Sequence, residues 1–265
     1  MSSLTILFNR QWWRSTLLVL AAMVVMVRLG FWQLARLEER RAFNAEVTAR
    51  LEQAPLTLTG ETVIDAERVA ELKYRSAKVR GEYDHTQEIV LKNQNWRGHP
   101  GLHLITPLVI AGSDRAMLID RGWIPYEAAA PENWGKYAEP GVVEVTGMVH
   151  LTQATPGAET SPPQDWQKAW FRVDIDRLQK QISYPLLPIY LQQAPGPGQV
   201  AERMPYRAEE QIVLSEGSHL SYAIQWFSFT LIAGVGYIHF VRKNTAKGSE
   251  NDRRPLTADR RNNLP

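Results

Sequence analysis

His219, Tyr222, Trp226 and Phe229 follow one another at spacings of three or four in the stretch HLSYAIQWFSFTLIAGVGYIHF, residues 219–240. On a helix such spacing places the four side chains on one face. Ser221, Gln225 and Ser228 form a polar stripe beside it. A neutral imidazole is a metal ligand. Held above aromatic rings and beside hydrogen-bonding groups, it suits a flat apolar molecule with polar edges. Haem, with imidazole on its iron, is the obvious example. The plainer alternative is an interfacial histidine that belongs to a belt of Tyr and Trp. His239 stands 20 residues beyond His219, about 30 Å along a helix, so the two cannot hold one iron within one chain.

Other chemistry finds little support. The six histidines are His85, His99, His103, His150, His219 and His239, and apart from His99 and His103 no pair has a helical metal-site spacing. His99 and His103 lie four apart, but the HPGLH between them breaks the helix that would align them. With no cysteine, disulfides, thiolate metal sites, CxxC redox motifs and covalent haem attachment are excluded. The six methionines are scattered, which argues against copper carriage by clustered soft ligands. There is no GxSxG elbow and no glycine-rich loop opening a helix. Asp114, Asp120, Asp174 and Asp176 fall at expected turns or strand ends, where Asp is favoured for local backbone bonds. The residues predict no enzyme. A net charge of +2 with no basic stripe gives no case for a nucleic-acid partner.

Two apolar blocks must position His219. Residues 15–34, STLLVLAAMVVMVRLGFWQL, and 220–241, LSYAIQWFSFTLIAGVGYIHFV, are each about 20 residues long, enough for a helix to cross a hydrocarbon core of about 30 Å. Trp12, Trp13 and Trp32 bracket the first, and Tyr222, Trp226 and Tyr237 the second, as interfacial belts do. RLGFWQLARLEERR closes the first block. It lacks the small residues of a signal cleavage site, so an uncleaved anchor is expected. Ala233, Gly234 and Gly236 lie deeper in the second block, where close helix contact is expected. Arg28, inside the first, either snorkels to the interface or faces a partner or an anionic ligand.

Arg10 and Arg14 precede the first block, and Arg242, Lys243, Lys247, Arg253, Arg254, Arg260 and Arg261 follow the second. Residues 29–241 between them carry 20 basic and 25 acidic side chains. Both ends are therefore expected in the cytoplasm and the middle outside it. The expected organisation is a cytoplasmic N-terminus (1–14), a transmembrane helix (15–34), an exported β-rich domain opened by a helix (35–218), a second transmembrane helix (219–241) and a basic, disordered cytoplasmic tail (242–265).

Within the exported region, 35–52 continues the first helix with one apolar face, and Pro55 ends it. Seven stretches then read as strands, from YRSAKVRGEY through QEIVLKNQ, GLHLITPLVIA, RAMLIDRGWIP, GVVEVTGMVHL and AWFRVDI to LPIYLQQ. AGSD, 111–114, reads as a hairpin turn, and 174–182 as a short helix capped by an Asp. Residues 153–165 and 194–199 read as loops. Seven strands in a flat sheet leave exposed edges, so a small barrel or sandwich is expected. The fold class is an α+β membrane protein, two transmembrane helices flanking a mostly-β domain. IDRGWIP, 119–125, has two readings. Either a strand ends at Gly122 with Trp123 in the core and Arg121 paired to an acid, or Arg121, Gly122 and Trp123 form an exposed interaction anchor.

LGFWQLARLEER, VRGEYD at 79–84, PGLHLITPL, DRGWIP and HLSYAIQWFSF occur in this order between two terminal apolar blocks. In this pattern, covering nearly the whole chain, the sequence resembles the Surfeit locus protein 1 family (Shy-type in yeast), which assists cytochrome c oxidase assembly. The resemblance implies a multi-pass protein of the bacterial plasma membrane or the mitochondrial inner membrane, with its main domain periplasmic or extracellular in a bacterium. It implies haem A as a transiently bound cofactor, presented to the catalytic subunit I of the oxidase, with haem A synthase as a second candidate partner beside membrane lipid. His219 maps onto the histidine favoured as the axial ligand. Gln225 and Trp226 would line the pocket, with Tyr222 beside them, and Trp32 and Gln33 would close it from the first helix. Asp120 stands where Asn is common in the family, and Arg28 matches no family feature. The alternative is a cofactor-free scaffold that holds an early oxidase intermediate.

Overall fold

The computed structural model describes Leu7 and residues 9–154, 166–196, 203–207 and 212–251. Most of the expected tail and the loop at 155–165 lie outside the described residues. The chain divides into two units, Met1–Ala45 with Leu214–Pro265, and Glu46–Val213.

The first unit is helical. Helix α1 spans Trp13–Leu51 and extends past the unit border. A second long helix, α4, spans His219–Asn251. Stretches of both are long and apolar enough to cross a membrane. Their side chains meet in antiparallel order. The Trp12 and Phe240 rings meet edge to face, Tyr237 Oη reaches Ser15 Oγ at 2.9 Å and Thr16 Oγ1 at 2.8 Å, and Phe31 meets Phe227 edge to face. Gly30 lies under the Phe227 ring, where a Cβ would stand 2.6 Å from the ring edge. Arg41 and Glu216 form a two-pronged ion pair at 3.0 Å. Half exposed, that pair contributes little.

The second unit is built on strands β1 (Leu56–Leu58), β2 (Ser76–Tyr83), β3 (Ile89–Trp96), β4 (His99–Ile110), β5 (Ala116–Pro125), β6 (Val142–Leu151), β7 (Ala169–Trp170) and β8 (Leu186–Gln193). Among the described residues it also holds short helices α2 (Val69–Leu72) and α3 (Ile175–Leu178) and three 3₁₀ turns. Pairing runs β2–β6–β8–β5–β4 and returns to β2 through Gly81↔Ile110, Glu82↔Val109 and Tyr83↔Leu108. This is a closed five-stranded barrel, so the barrel and not the sandwich is the architecture. Closure leaves the ring without open edges. Twelve-residue β4 divides its second edge, giving one end to β2 and the other to β3.

Alternation along β2, buried at Ala77, Val79, Gly81 and Tyr83, points one face inward. That face joins Leu108, Met117, Ile119, Val145, Val149, Leu187, Ile189 and Leu191 in the barrel core. A second cluster, including Ile105, Leu118, Trp170 and Leu178, lies under β7 and α3. A third gathers Leu102, Leu104, Ile124 and Trp134 under the 3₁₀ turns. Strand β5 is therefore buried on both faces from Ala116 to Ile124. All seven expected strands occur, with AWFRVDI shortened to Ala169–Trp170. Asp174 caps α3 by accepting from Arg177 N at 3.2 Å. Strand β1, only three residues long, has no counterpart in the sequence reading.

Candidate functional site

His219 opens α4 and turns towards α1. Its Nδ1 lies 2.8 Å from Gln33 Oε1. With that carbonyl as acceptor, the imidazole carries its proton on Nδ1 and leaves its lone pair on Nε2, the tautomer a metal ligand requires. Two of the expected site residues, one from each apolar helix, are thus brought into direct contact. Trp226, half buried, packs edge to face on Phe229 with ring centroids 6.2 Å apart. Tyr222 and Trp32 are 49% and 54% exposed. Gln225 is exposed and lies about 120° from His219 around the helix. Trp32 instead lines a groove along α1 with Val24, Arg28, Phe31 and Thr230, about 1100 Å³ in volume.

In the barrel unit the DRGWIP motif is buried, which corrects both readings of it in part. Strand β5 does not end at Gly122 but continues to Pro125. Asp120 faces Ile105 and Gly122 faces Leu104, so Arg121 is the extra residue of a bulge. The Arg121 side chain is fully buried. Its Nη1 bonds Glu88 Oε1 at 3.1 Å, and its Nη2 bonds Glu139 Oε1 at 2.9 Å and the Tyr137 carbonyl. Its guanidinium also lies 4.8 Å from the centre of the Tyr83 ring. Glu88 accepts from Thr106 Oγ1 at 2.9 Å, and Arg207 pairs with Glu139. Two carboxylates thus balance two guanidiniums. Burial would raise the Glu139 carboxyl, but Arg121 and Arg207 hold it below its ordinary value. Burial pushes the Tyr83 phenol well up, so it stays a neutral donor to Gln193 Oε1.

Trp123, 4% exposed, stacks on Tyr206, and Trp96 stacks on the other contact of that ring. Paired backbone bonds between Trp123 and Tyr206 fix the segment 203–207 to β5. Arg121, Gly122 and Trp123 are therefore internal, and the exposure an anchor requires is absent. Charge pairing and the two-sided burial of β5 are the reason.

Across β4, His103 Nδ1 lies 2.8 Å from Asp120 Oδ2, and Asp120 Oδ1 accepts from Gly122 N at 3.1 Å. Burial would lower the His103 pKa, but the Asp120 carboxylate raises it above the ordinary value. A folded value above the free one makes this pair's stabilisation complete below about pH 6.5 and lost as pH rises through the raised value. We expect thermal melts of the whole chain to show a higher Tm at pH 6 than at pH 8, and the difference to shrink in His103→Gln. An unchanged difference would assign the pH dependence elsewhere.

The sequence reading missed this pair and the Glu88–Arg121–Glu139–Arg207 network. Their members lie 17 to 68 residues apart, and only the acid partner of Arg121 had been anticipated. His99 is exposed on β4 and His239 on α4. His85 Nδ1 meets Glu88 Oε2 at 3.3 Å, and His150 stacks on Tyr190. Among the described residues no group of three His, Asp or Glu is placed to hold a metal ion.

The profile of the SURF1 family matches residues 20–231. A SURF1-like protein of Caenorhabditis elegans is 26% identical over 88% of this chain and 76% of its own. Its Caenorhabditis briggsae counterpart is 24% identical over 88% of this chain and 77% of its own. Surfeit locus protein 1 of Mus musculus is 24% identical over 80% of this chain and 70% of its own.

Proposed function

Since the chain belongs to the SURF1 family, a family of cytochrome c oxidase assembly factors, we propose that it carries haem A at the edge of a membrane and assists its insertion into subunit I of the oxidase. The observation that carries this reading is the His219–Gln33 contact at 2.8 Å. It fixes the tautomer of an imidazole on a helix terminus and leaves Nε2 free for iron. The residues fit the cargo. Haem A is a flat, strongly apolar iron porphyrin, and Trp32, Tyr222 and Trp226 supply aromatic surface on the helices that carry Gln33 and His219. Gln33 holds the ligand, and the aromatic residues hold the ring. As an assembly factor, the protein serves by binding and release, not by turnover.

Under this proposal both apolar helices span the bacterial plasma membrane, or the equivalent membrane of an organelle. Both termini lie on the side of the Arg-rich flanks, and the barrel lies on the opposite, exported side. The barrel unit is then the portion that meets the oxidase, with haem A synthase as a second candidate partner.

The test is the visible spectrum of detergent-purified protein co-expressed with haem A synthesis. We expect a haem A signal in the wild type, its loss in His219→Ala, and a shifted, weaker signal in Gln33→Leu. Full signal in a folded His219→Ala variant would overturn the ligand assignment. A cofactor-free scaffold is the second reading, favoured by the exposure of Tyr222 and Trp32. Absence of signal in folded wild type would establish it over the first.

A further inference from the structure

Arg28 is the only charged side chain between Ser15 and Leu34, and no acidic residue occurs between His219 and Val241. Neither apolar helix therefore carries a counter-charge for it within its membrane-length stretch. Arg28 is exposed and makes no hydrogen bond or ion pair among the described residues. A cation at that depth is costly unless an anion meets it or it reaches the headgroups. No anion for it stands among the described residues.

The surroundings indicate the partner's chemistry. The groove of about 1100 Å³ that Arg28 lines is otherwise walled by Leu20, Met23, Val24, Val25, Phe31 and Trp32, among others, with Thr230 as the one further polar side chain. Thr230 Oγ1 is already committed to the Trp226 carbonyl at 2.9 Å. Arg28 is thus the single polar handle on an apolar channel. Trp32 stands one turn further along α1, about 6 Å in rise, and tryptophan prefers the headgroup level. An arginine one turn inside that level reaches it by extending its side chain. A molecule that satisfies both features has an anionic head and a hydrocarbon tail.

We propose that this groove is a binding site for one anionic phospholipid, its phosphate on Arg28 beside Trp32 and an acyl chain along Val24 and Leu20. Charge selects the lipid, since a zwitterionic headgroup brings its own cation and gains less from Arg28. The proposal rests on the spanning arrangement given above but not on haem.

The test reconstitutes the full chain in phosphatidylcholine bilayer discs carrying trace spin-labelled phosphatidylglycerol or spin-labelled phosphatidylcholine. The motionally restricted fraction measures association. We expect phosphatidylglycerol to be preferred about fivefold, the effect of one basic residue against an anionic lipid. Arg28→Gln should bring the ratio to about one. Arg28→Lys should retain most of it, and His219→Ala should leave it unchanged. Far-UV circular dichroism confirms that each variant is folded. A ratio near one in the wild type, or an unchanged ratio in Arg28→Gln, overturns the proposal. If Arg28→Gln keeps the lipid ratio but loses the haem A spectrum, the anion belongs to the cargo, and the lipid site fails while the haem reading stands. Release of the wild type from its native membranes by alkaline carbonate would overturn the spanning arrangement and the lipid site together, and leave the His219 assignment to its own spectrum.

Discussion

Arg121→Met is expected to destabilise the barrel unit by about 3–5 kcal/mol, because it leaves a buried carboxylate without its cation. Glu88 is 4% exposed, and Arg121 is its one guanidinium partner among the described residues. The bonds from Thr106 and His85 remain. Glu139 retains Arg207 and is less affected. For a unit of this size such a loss lowers Tm by about 6–20 °C. Pairing Arg121→Met with Glu88→Gln removes both buried charges and should recover a large part of the loss. Chemical denaturation of the four proteins of this cycle gives the coupling directly. Equal destabilisation in the single and double variants would place the cost in packing and not in charge.

Gly122→Ala carries the second large effect. Gly122 has φ +118, a region that L side chains rarely adopt, and a Cβ there would stand 2.5 Å from the Tyr206 carbonyl oxygen. Backbone strain alone costs about 1–3 kcal/mol, and the clash falls on backbone that cannot rotate away. The Trp123–Tyr206 bonds and the stacking on Trp96 are the contacts that must shift. We expect a lower denaturation midpoint together with a reduced near-ultraviolet signal from the Trp–Tyr–Trp stack. Gly98, on the β3–β4 turn, has φ +86 but nothing near its Cβ position. Gly98→Ala should therefore cost markedly less, and equal costs would remove the Tyr206 contact from the explanation.

Much of the architecture was legible because it is written in short-range pattern. The apolar helices show in unbroken composition, and the long strands show in period-two alternation between turn residues. Closure of the barrel was foreseeable only as a class, since it depends on β2 and β4 meeting at Tyr83↔Leu108. Strand β1 escaped notice because three residues carry no period. The His219–Gln33 contact was partly legible. Both residues stood out near the ends of apolar helices, but their bond depends on the register of α1 against α4. The DRGWIP motif shows the opposite limit. Its residues were conspicuous, but no local pattern announces the bulge at Arg121, an extra residue opposite Leu104 and Ile105.

The strand order also governs when the barrel can come into existence. Strand β8 sits between β5 and β6, joined to both, yet among the described strands it is the last to leave the ribosome. Until Gln193 has been synthesised, β5 and β6 each have a bare edge, and the ring stays open on its core. Such edges are templates for wrong pairing, and contacts between strands distant in sequence form slowly. The nascent chain therefore passes through a stage in which β1 to β7 are available and the barrel cannot close. His219 emerges only after the closing strand is complete, so the order of synthesis makes the barrel available before the helix that carries the proposed ligand.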